Sequence, residues 1–226
     1  MHSSITQYIF DHAGSNMYIL TENEEALVID PHVCTDALSQ LEKANVKHVT
    51  VLLTHEHYDH TSGLTWLCSI FKSTVICHEQ TAVSLKNGKN SRPLVVAASR
   101  MNKYSPEELK AVMRTLPQGY RYNADITFSD EYKLVWNGHN IRMISCAGHS
   151  KGSCCIELDD DTVATGDSLI LNEPVITRFV GGSEKEYKTI TLPYLNSISD
   201  ATLILPGHGK TFYMRDARSS QQLKSV

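Results

Sequence analysis

Four short stretches of this 226-residue chain end an apolar run on Gly or Thr and follow it at once with a metal-capable side chain: Thr54-His55, Gly148-His149, Gly166-Asp167 and Gly207-His208. The first opens the densest cluster, His55-Glu56-His57-Tyr58-Asp59-His60, with three histidines and two carboxylates in six residues. Neutral imidazoles and ionised carboxylates are the ligands that borderline divalent cations take. Alternation lets His55 and His57 turn two ring nitrogens toward one point. Asp59 and His60 are offset enough to reach a second point nearby. One histidine in a loop is usually only solvated, but four strand ends sharing this pattern point to a metal site.

The elements that must carry these groups follow from the hydrophobic pattern. Val49 to Leu53 is short, continuous and apolar, which reads as a buried strand. The polar cluster then lies in the loop at its C-terminal end, where α/β folds present chemistry. Tyr8 to Phe10, Asn16 to Leu20 and Ala26 to Asp30 are predicted strands, and Asp36 to Ala44 a helix. Ser62 to Phe71 is a further predicted helix and Thr74 to Cys77 a strand. Strands return at Ile126 to Phe128, Tyr132 to Val135, Asn140 to Cys146, Cys154 to Leu158, Thr162 to Ala164 and Thr202 to Leu205. A helix is predicted over Glu184 to Asn196. Asp159-Asp160-Asp161 reads as a solvated turn rather than a cation site. Asp30, before Pro31, is either a turn residue or a carboxylate that orients a ligand histidine from behind. His78, at a strand end, reads as structural rather than as a ligand.

Residues 86 to 122 differ in character, with eight basic residues against two glutamates. Ser105-Pro106-Glu107-Glu108 is a strong helix start, and Leu109, Val112, Met113 and Leu116 follow as one apolar stripe. The segment reads as a basic, partly helical insertion lying over the body of the fold. Elsewhere the composition is ordinary, with 41% hydrophobic and 20% charged residues. The net charge of −4 argues against a general nucleic-acid binder. Six cysteines without a CxxC pair read as reduced, small buried hydrophobes. No apolar run approaches the ~20 residues of a membrane helix, and the first ten residues lack a signal-peptide pattern. These features predict a single cytoplasmic domain over 1–226, with its oligomeric state open.

His55-x-His57-x-Asp59-His60, His149 in Gly-His-Ser, Asp167 in Thr-Gly-Asp and His208 in Pro-Gly-His-Gly, in this order and with Ile29-Asp30-Pro31 ahead of them, resemble the metallo-β-lactamase superfamily. The resemblance implies an αββα sandwich with its site at one edge. It implies two metal ions, most simply zinc, with iron or manganese as alternatives. His55, His57 and His149 would hold one, and Asp59, His60 and His208 the other, with Asp167 bridging both. A metal-bridging hydroxide would then be the nucleophile, and Asp59 and Asp167 the candidate catalytic carboxylates. Lactam-hydrolysing members generally carry Cys or Ser in place of Asp167, so the chain looks more like glyoxalase II. That implies hydrolysis of a small ester, a hydroxyacylglutathione-like thioester or a lactone. The longer glyoxalase II enzymes bind glutathione with a helical C-terminal part that does not follow His208 in this sequence, so the resemblance does not extend to glutathione recognition. The alternatives are a mono-iron persulfide dioxygenase using His55, His149 and Asp167, a zinc phosphodiesterase, and a non-catalytic metal-binding module. The expected partner is a small-molecule substrate, anionic if the basic insertion covers the site, with no nucleic acid or membrane. Lys151 reads either as a contact to a substrate carboxylate or as an exposed turn lysine, and Arg178 with the Gly181-Gly182 loop is expected to rim the mouth.

Overall fold

A computed structural model describes residues 5–88, 90–93, 105–220 and 223. The described strands form two six-stranded sheets. The first holds β1 (Thr6–Ile9), β2 (Asn16–Glu22), β3 (Glu25–Ile29), β4 (His48–Leu52), β5 (Lys72–His78) and β6 (Ile126–Phe128) in sequence order. From β3 to β6 its strands run parallel. The second holds β7 (Glu131–Trp136), β8 (His139–Ser145), β9 (Cys154–Leu158), β10 (Thr162–Gly166), β11 (Leu203–Pro206) and β12 (Phe212–Tyr213). It is antiparallel except where β10 meets β11.

Side-chain alternation along the strands builds three apolar layers. Ala26 and Val28 of β3 and Val49 and Val51 of β4 face α1 (Thr35–Lys43), α3 (Leu64–Ile70) and α4 (Glu79–Asn87), meeting Leu41, Leu64, Leu67 and Leu85. Their neighbours Leu27, Ile29 and Leu52 face the other sheet and pack with Met143, Ile156 and Leu205. On the far side, Val163 and Ile204 pack beneath Leu192, Leu195 and Met214. Strands buried on both faces read as continuous apolar runs, which is why Val49 to Leu53 shows no alternation in the sequence. Each fully buried Leu or Ile here contributes about 1.5–3 kcal/mol relative to exposure. The result is the expected αββα sandwich.

The differences from expectation are local. The polar cluster is not all loop: α2 (Tyr58–Thr61) forms one helical turn that carries Asp59 and His60. A carboxylate in a first helical turn is favoured by the exposed backbone N–H groups there. The helix predicted over Glu184 to Asn196 is α6 (Glu184–Glu186) and α7 (Leu192–Ser197), joined by a wider π turn, Tyr187–Thr191. β12 and α8 (Met214–Ser219) had no sequence-based counterpart.

Within the insertion, α5 (Pro106–Thr115) has the expected capping box between Ser105 and Glu108. Its stripe rests on the body through Val112, Met113 and Leu116, against Phe10 and Tyr58. Lys89, Arg100 and Lys103 lie outside the described residues. All six cysteines are free, and Cys77, Cys146, Cys154 and Cys155 are buried.

Candidate metal centre

Both sheets deliver their strand ends to one edge. β3 leads to Asp30, β4 to His55, β10 to Asp167 and β11 to His208. The glycines ahead of two of these groups have a steric reason. A Cβ on Gly166, at φ +50°, would lie 2.6 Å from Thr54 Oγ1. A Cβ on Gly207 would lie 2.1 Å from Asp167 Oδ1 and 3.0 Å from His60 Cε1. Strand ends carrying side chains there could not converge this closely.

All seven expected residues meet at this edge, in two clusters. His55, His57, His149 and Asp167 form one, and Asp59, His60 and His208 the other. Asp167 stands between them with one oxygen toward each. Its Oδ2 is 3.5 Å from His149 Nε2 and 4.0 Å from His55 Nε2. Its Oδ1 is 3.4 Å from His60 Nε2 and 3.6 Å from His208 Nε2. Asp59 Oδ2 lies 3.3 Å from His208 Nε2 and 3.6 Å from His60 Nε2.

The support behind the cluster fixes the ring tautomers. His149 Nδ1 donates to the Ile176 carbonyl at 2.8 Å, which turns Nε2 inward. Asp30 accepts from the Thr54 backbone N–H at 2.7 Å, from the Thr54 hydroxyl, and from His60 Nδ1 at 2.9 Å. Because the Thr54 hydroxyl hydrogen is committed to Asp30, His55 Nδ1 donates to Thr54 Oγ1 at 3.0 Å. One buried carboxylate therefore orients a histidine in each cluster, directly at His60 and through Thr54 at His55. Such partners set the tautomer and ring orientation of metal-binding histidines. Asp30 and its two histidines also group as a third potential site, but the Asp30 oxygens are already engaged with protein donors. Asp30 holds a left-handed backbone, φ 54°, at this corner. Asp is among the few residues that tolerate that conformation.

The inward-facing atoms fit cations. His57 Nδ1 sits 3.1 Å from His55 Nε2 and 2.9 Å from His149 Nε2. A single proton on His57 can serve only one of those lone pairs well, whereas a cation among the three rings serves all of them. His60 Nε2 and Asp167 Oδ1 are buried and, although 3.4 Å apart, neither makes a well-formed hydrogen bond, and buried polar atoms are rarely left so. Two buried carboxylates, Asp30 and Asp59, and the partly buried Asp167 gather here among imidazoles. Buried charges of one sign need compensation.

The electrostatics of the two clusters differ. Burial pushes His55 well down, reinforced by His60 and His57. Burial pushes His57 down too, reinforced by His149. Burial also opposes charge on His60 and His208, yet the adjacent Asp59 and Asp167 outweigh it and push both up. Burial would raise the carboxyls of Asp59 and Asp167. His60 and His208 beside them hold both below the usual carboxylate range, Asp167 far below it.

Other residues find plain roles. Glu56 points away from the cleft, and its Oε2 accepts from Ser150 Oγ at 2.8 Å and Thr81 Oγ1 at 3.2 Å. It thereby ties the His55 loop to the His149 loop. The insertion braces the same loop from behind. Asn90 donates to the Glu56 carbonyl at 3.1 Å and Tyr58 to the Pro117 carbonyl at 2.6 Å. Thr61 and Tyr120 share a 2.9 Å hydroxyl contact. His78 is structural, with Nε2 on the Ser129 carbonyl at 2.8 Å and Nδ1 accepting from Gln80 N. Lys151 and Arg178 are exposed.

The sequence pattern places the loop after Asp167 at the mouth but does not mark its apolar lining, Val175, Ile176 and Phe179, nor Asn16. Asn16 Nδ2 donates to the Pro206 and Gly209 carbonyls, holding the His208 turn. No local pattern marks an asparagine whose partners lie 190 and 193 residues away.

A family model described as the metallo-beta-lactamase superfamily matches residues 11–208. The chain belongs to the metallo-beta-lactamase superfamily. It is similar to a Bacillus subtilis protein named probable metallo-hydrolase YqgX, 25% identical over 197 residues that cover 86% of this chain and 85% of that one. Among solved structures it resembles the BLEG-1 B3 metallo-beta-lactamase, with a TM-score of 0.74, 21% identity and coverage of 96% and 97%. It also resembles TTHA1623 in a di-iron-bound form, with a TM-score of 0.71, 19% identity and coverage of 95% and 98%. These structural likenesses carry the superfamily fold.

Proposed function

We propose that this protein is a metal-dependent hydrolase that uses two divalent cations, zinc first among them, on a small ester, thioester or lactone. The observation that carries the reading is the placement of Asp167, with one oxygen toward His55 and His149 and the other toward His60 and His208. His55, His57 and His149 would hold one ion, Asp59, His60 and His208 the other, and Asp167 both. Bound there, the ions would lower the pKa of a water molecule and polarise the scissile carbonyl. The chain's own residues supply preorganisation. Asp30 and Thr54 keep His55 and His60 in single orientations, the Ile176 carbonyl does the same for His149, and Asp59 keeps an ionised oxygen beside His208. The name of the Bacillus subtilis relative is consistent with this class.

The test combines metal analysis with a substrate panel. Purified protein reconstituted with zinc should retain about two equivalents per chain and cleave at least one of a generic ester, thioester or lactone. One tightly held iron with oxygen consumption, or inertness toward the whole panel at full metal loading, would sink the reading.

A further inference from the structure

The cleft over the candidate metal centre has a volume of about 360 Å³ and two unlike walls. One wall is polar and carries His57, Asp59, His149, Asp167 and His208. The other is the loop that follows Asp167, where Ile170, Pro174, Val175, Ile176 and Phe179 line the space. The Phe179 ring stands edge-on to His57 at 5.7 Å. Phe179 and Ile176 keep 44% and 37% of their surface exposed, and the adjoining Val180 is fully exposed. Scattered exposed hydrophobes need no explanation, but a contiguous apolar patch rimming a cleft marks a binding surface.

Charge supports the same reading. Apart from the metal-facing residues, the described residues that line the cleft carry one ionisable side chain, Glu173. No lysine or arginine lines it among the described residues. An anionic substituent would find no basic side chain among the described lining residues, whereas an uncharged hydrocarbon chain would meet apolar surface. The loop is also anchored to the site. Ile176 O holds His149 Nδ1 at 2.8 Å, Gly182 N donates to the Phe179 carbonyl at 2.8 Å, and Ser183 N to the Gly148 carbonyl at 2.8 Å. Its apolar side chains therefore sit at a set distance from the reacting centre.

We infer that Val175, Ile176 and Phe179 form a wall that binds an uncharged apolar chain of several carbons attached to the scissile group. The substrate class is accordingly neutral, hydrocarbon-bearing esters or thioesters. This rests on the hydrolase reading above and narrows it. The wall touches the chain of the substrate, not the reacting atoms, so its effect falls on binding.

Two series of neutral substrates test it on the zinc-loaded protein. One is N-acetylcysteamine thioesters from acetyl to octanoyl; the other is acetate esters of ethanol through octanol. Burying one CH₂ corresponds to about a three- to four-fold gain. In at least one series kcat/KM should climb by about that factor per methylene until the cleft is full, mostly through KM. Phe179→Ala and Val175→Ser should each flatten the climb, and glutathione thioesters of the same acyl groups should be poorer substrates. Flat profiles in both series, an undiminished climb in both variants, or a preference for the glutathione carriers would overturn the inference. A second readout needs no turnover: methyl-labelled protein titrated with 2-octanone should show saturable NMR shifts at Ile170, Val175 and Ile176. Saturable shifts without cleavage of any substrate would remove the hydrolase reading and keep the wall. Cleavage without those shifts would remove the wall and keep the hydrolase.

Discussion

Histidines beside carboxylates occur at both ends of this sandwich. At the end away from the site, His139 lies 2.7 Å from Asp159 and 3.3 Å from Glu22, with 21% of the histidine side chain exposed. Asn23, Glu24, Asn137 and Asp159 turn the chain there with positive φ. The pairs dress hairpin ends in water, and screened pairs of this kind are worth well under 1 kcal/mol. At the other end His60 contacts Asp30, Asp59 and Asp167, and its side chain is 0% exposed. There a group that loses its partner has no water to replace it. Residue type is the same at both ends. Burial, and a buried carboxylate that fixes ring orientation from behind, turn one of them into a candidate cation site.

Three substitutions test that contrast. The largest effect is expected at Asp167. Asp167→Asn keeps the shape but removes the shared charge, so the protein should retain less than two metal equivalents and lose roughly 10³-fold in kcat/KM. Metal analysis after gel filtration, with kinetics on the best substrate, measures both. Full metal retention would show that Asp167 is not shared between the clusters.

Next is Asp30, 2% exposed. Asp30→Ala leaves Thr54 and His60 donors unmet in the interior. A stability loss of about 3–5 kcal/mol is expected, with zinc affinity lower by about 10–100-fold. Urea unfolding of the metal-free protein gives the first number and chelator competition the second. A loss of stability with unchanged affinity would mean that Asp30 supports the fold without orienting ligands.

The smallest effect belongs to His139. The hydrogen bond to Asp159 raises its pKa in the folded protein above the ordinary 6.5. A raised folded pKa stabilises fully below the unfolded value, and the contribution is lost as pH rises through the folded value. His139→Gln should therefore cost a few tenths of a kcal/mol below pH 6.5. The deficit should vanish at alkaline pH and shrink with salt. A deficit independent of pH would assign His139 a packing role, through its 6.0 Å stacking on Trp136.

Much of the site was legible because its logic is local. His55, His57, Asp59 and His60 lie within one turn of chain, and Gly166 and Gly207 mark places where backbones must approach closely. The strands were legible because layers buried on both faces demand continuous apolar runs. What was not legible depends on partners far apart in the chain. Asn16 reaches Pro206 and Gly209, Thr54 relays Asp30 to His55, and Tyr58 reaches Pro117. The one-turn helix at Tyr58–Thr61 was also hidden, since four residues carry too little periodicity to declare a helix.

The types of the candidate metal-binding residues, their order along the chain and the family they resemble are all present in one dimension. Imidazole and carboxylate chemistry belongs to the residues, and their spacing survives in one dimension. Only the tertiary structure decided that Asp30 orients a histidine in each cluster and that Asp167 turns an oxygen to each. It also decided that the described part of the basic insertion braces the loop from behind while an apolar loop faces the cleft. Those are matters of distance and burial between segments far apart in the chain, and they exist only once the two sheets have packed.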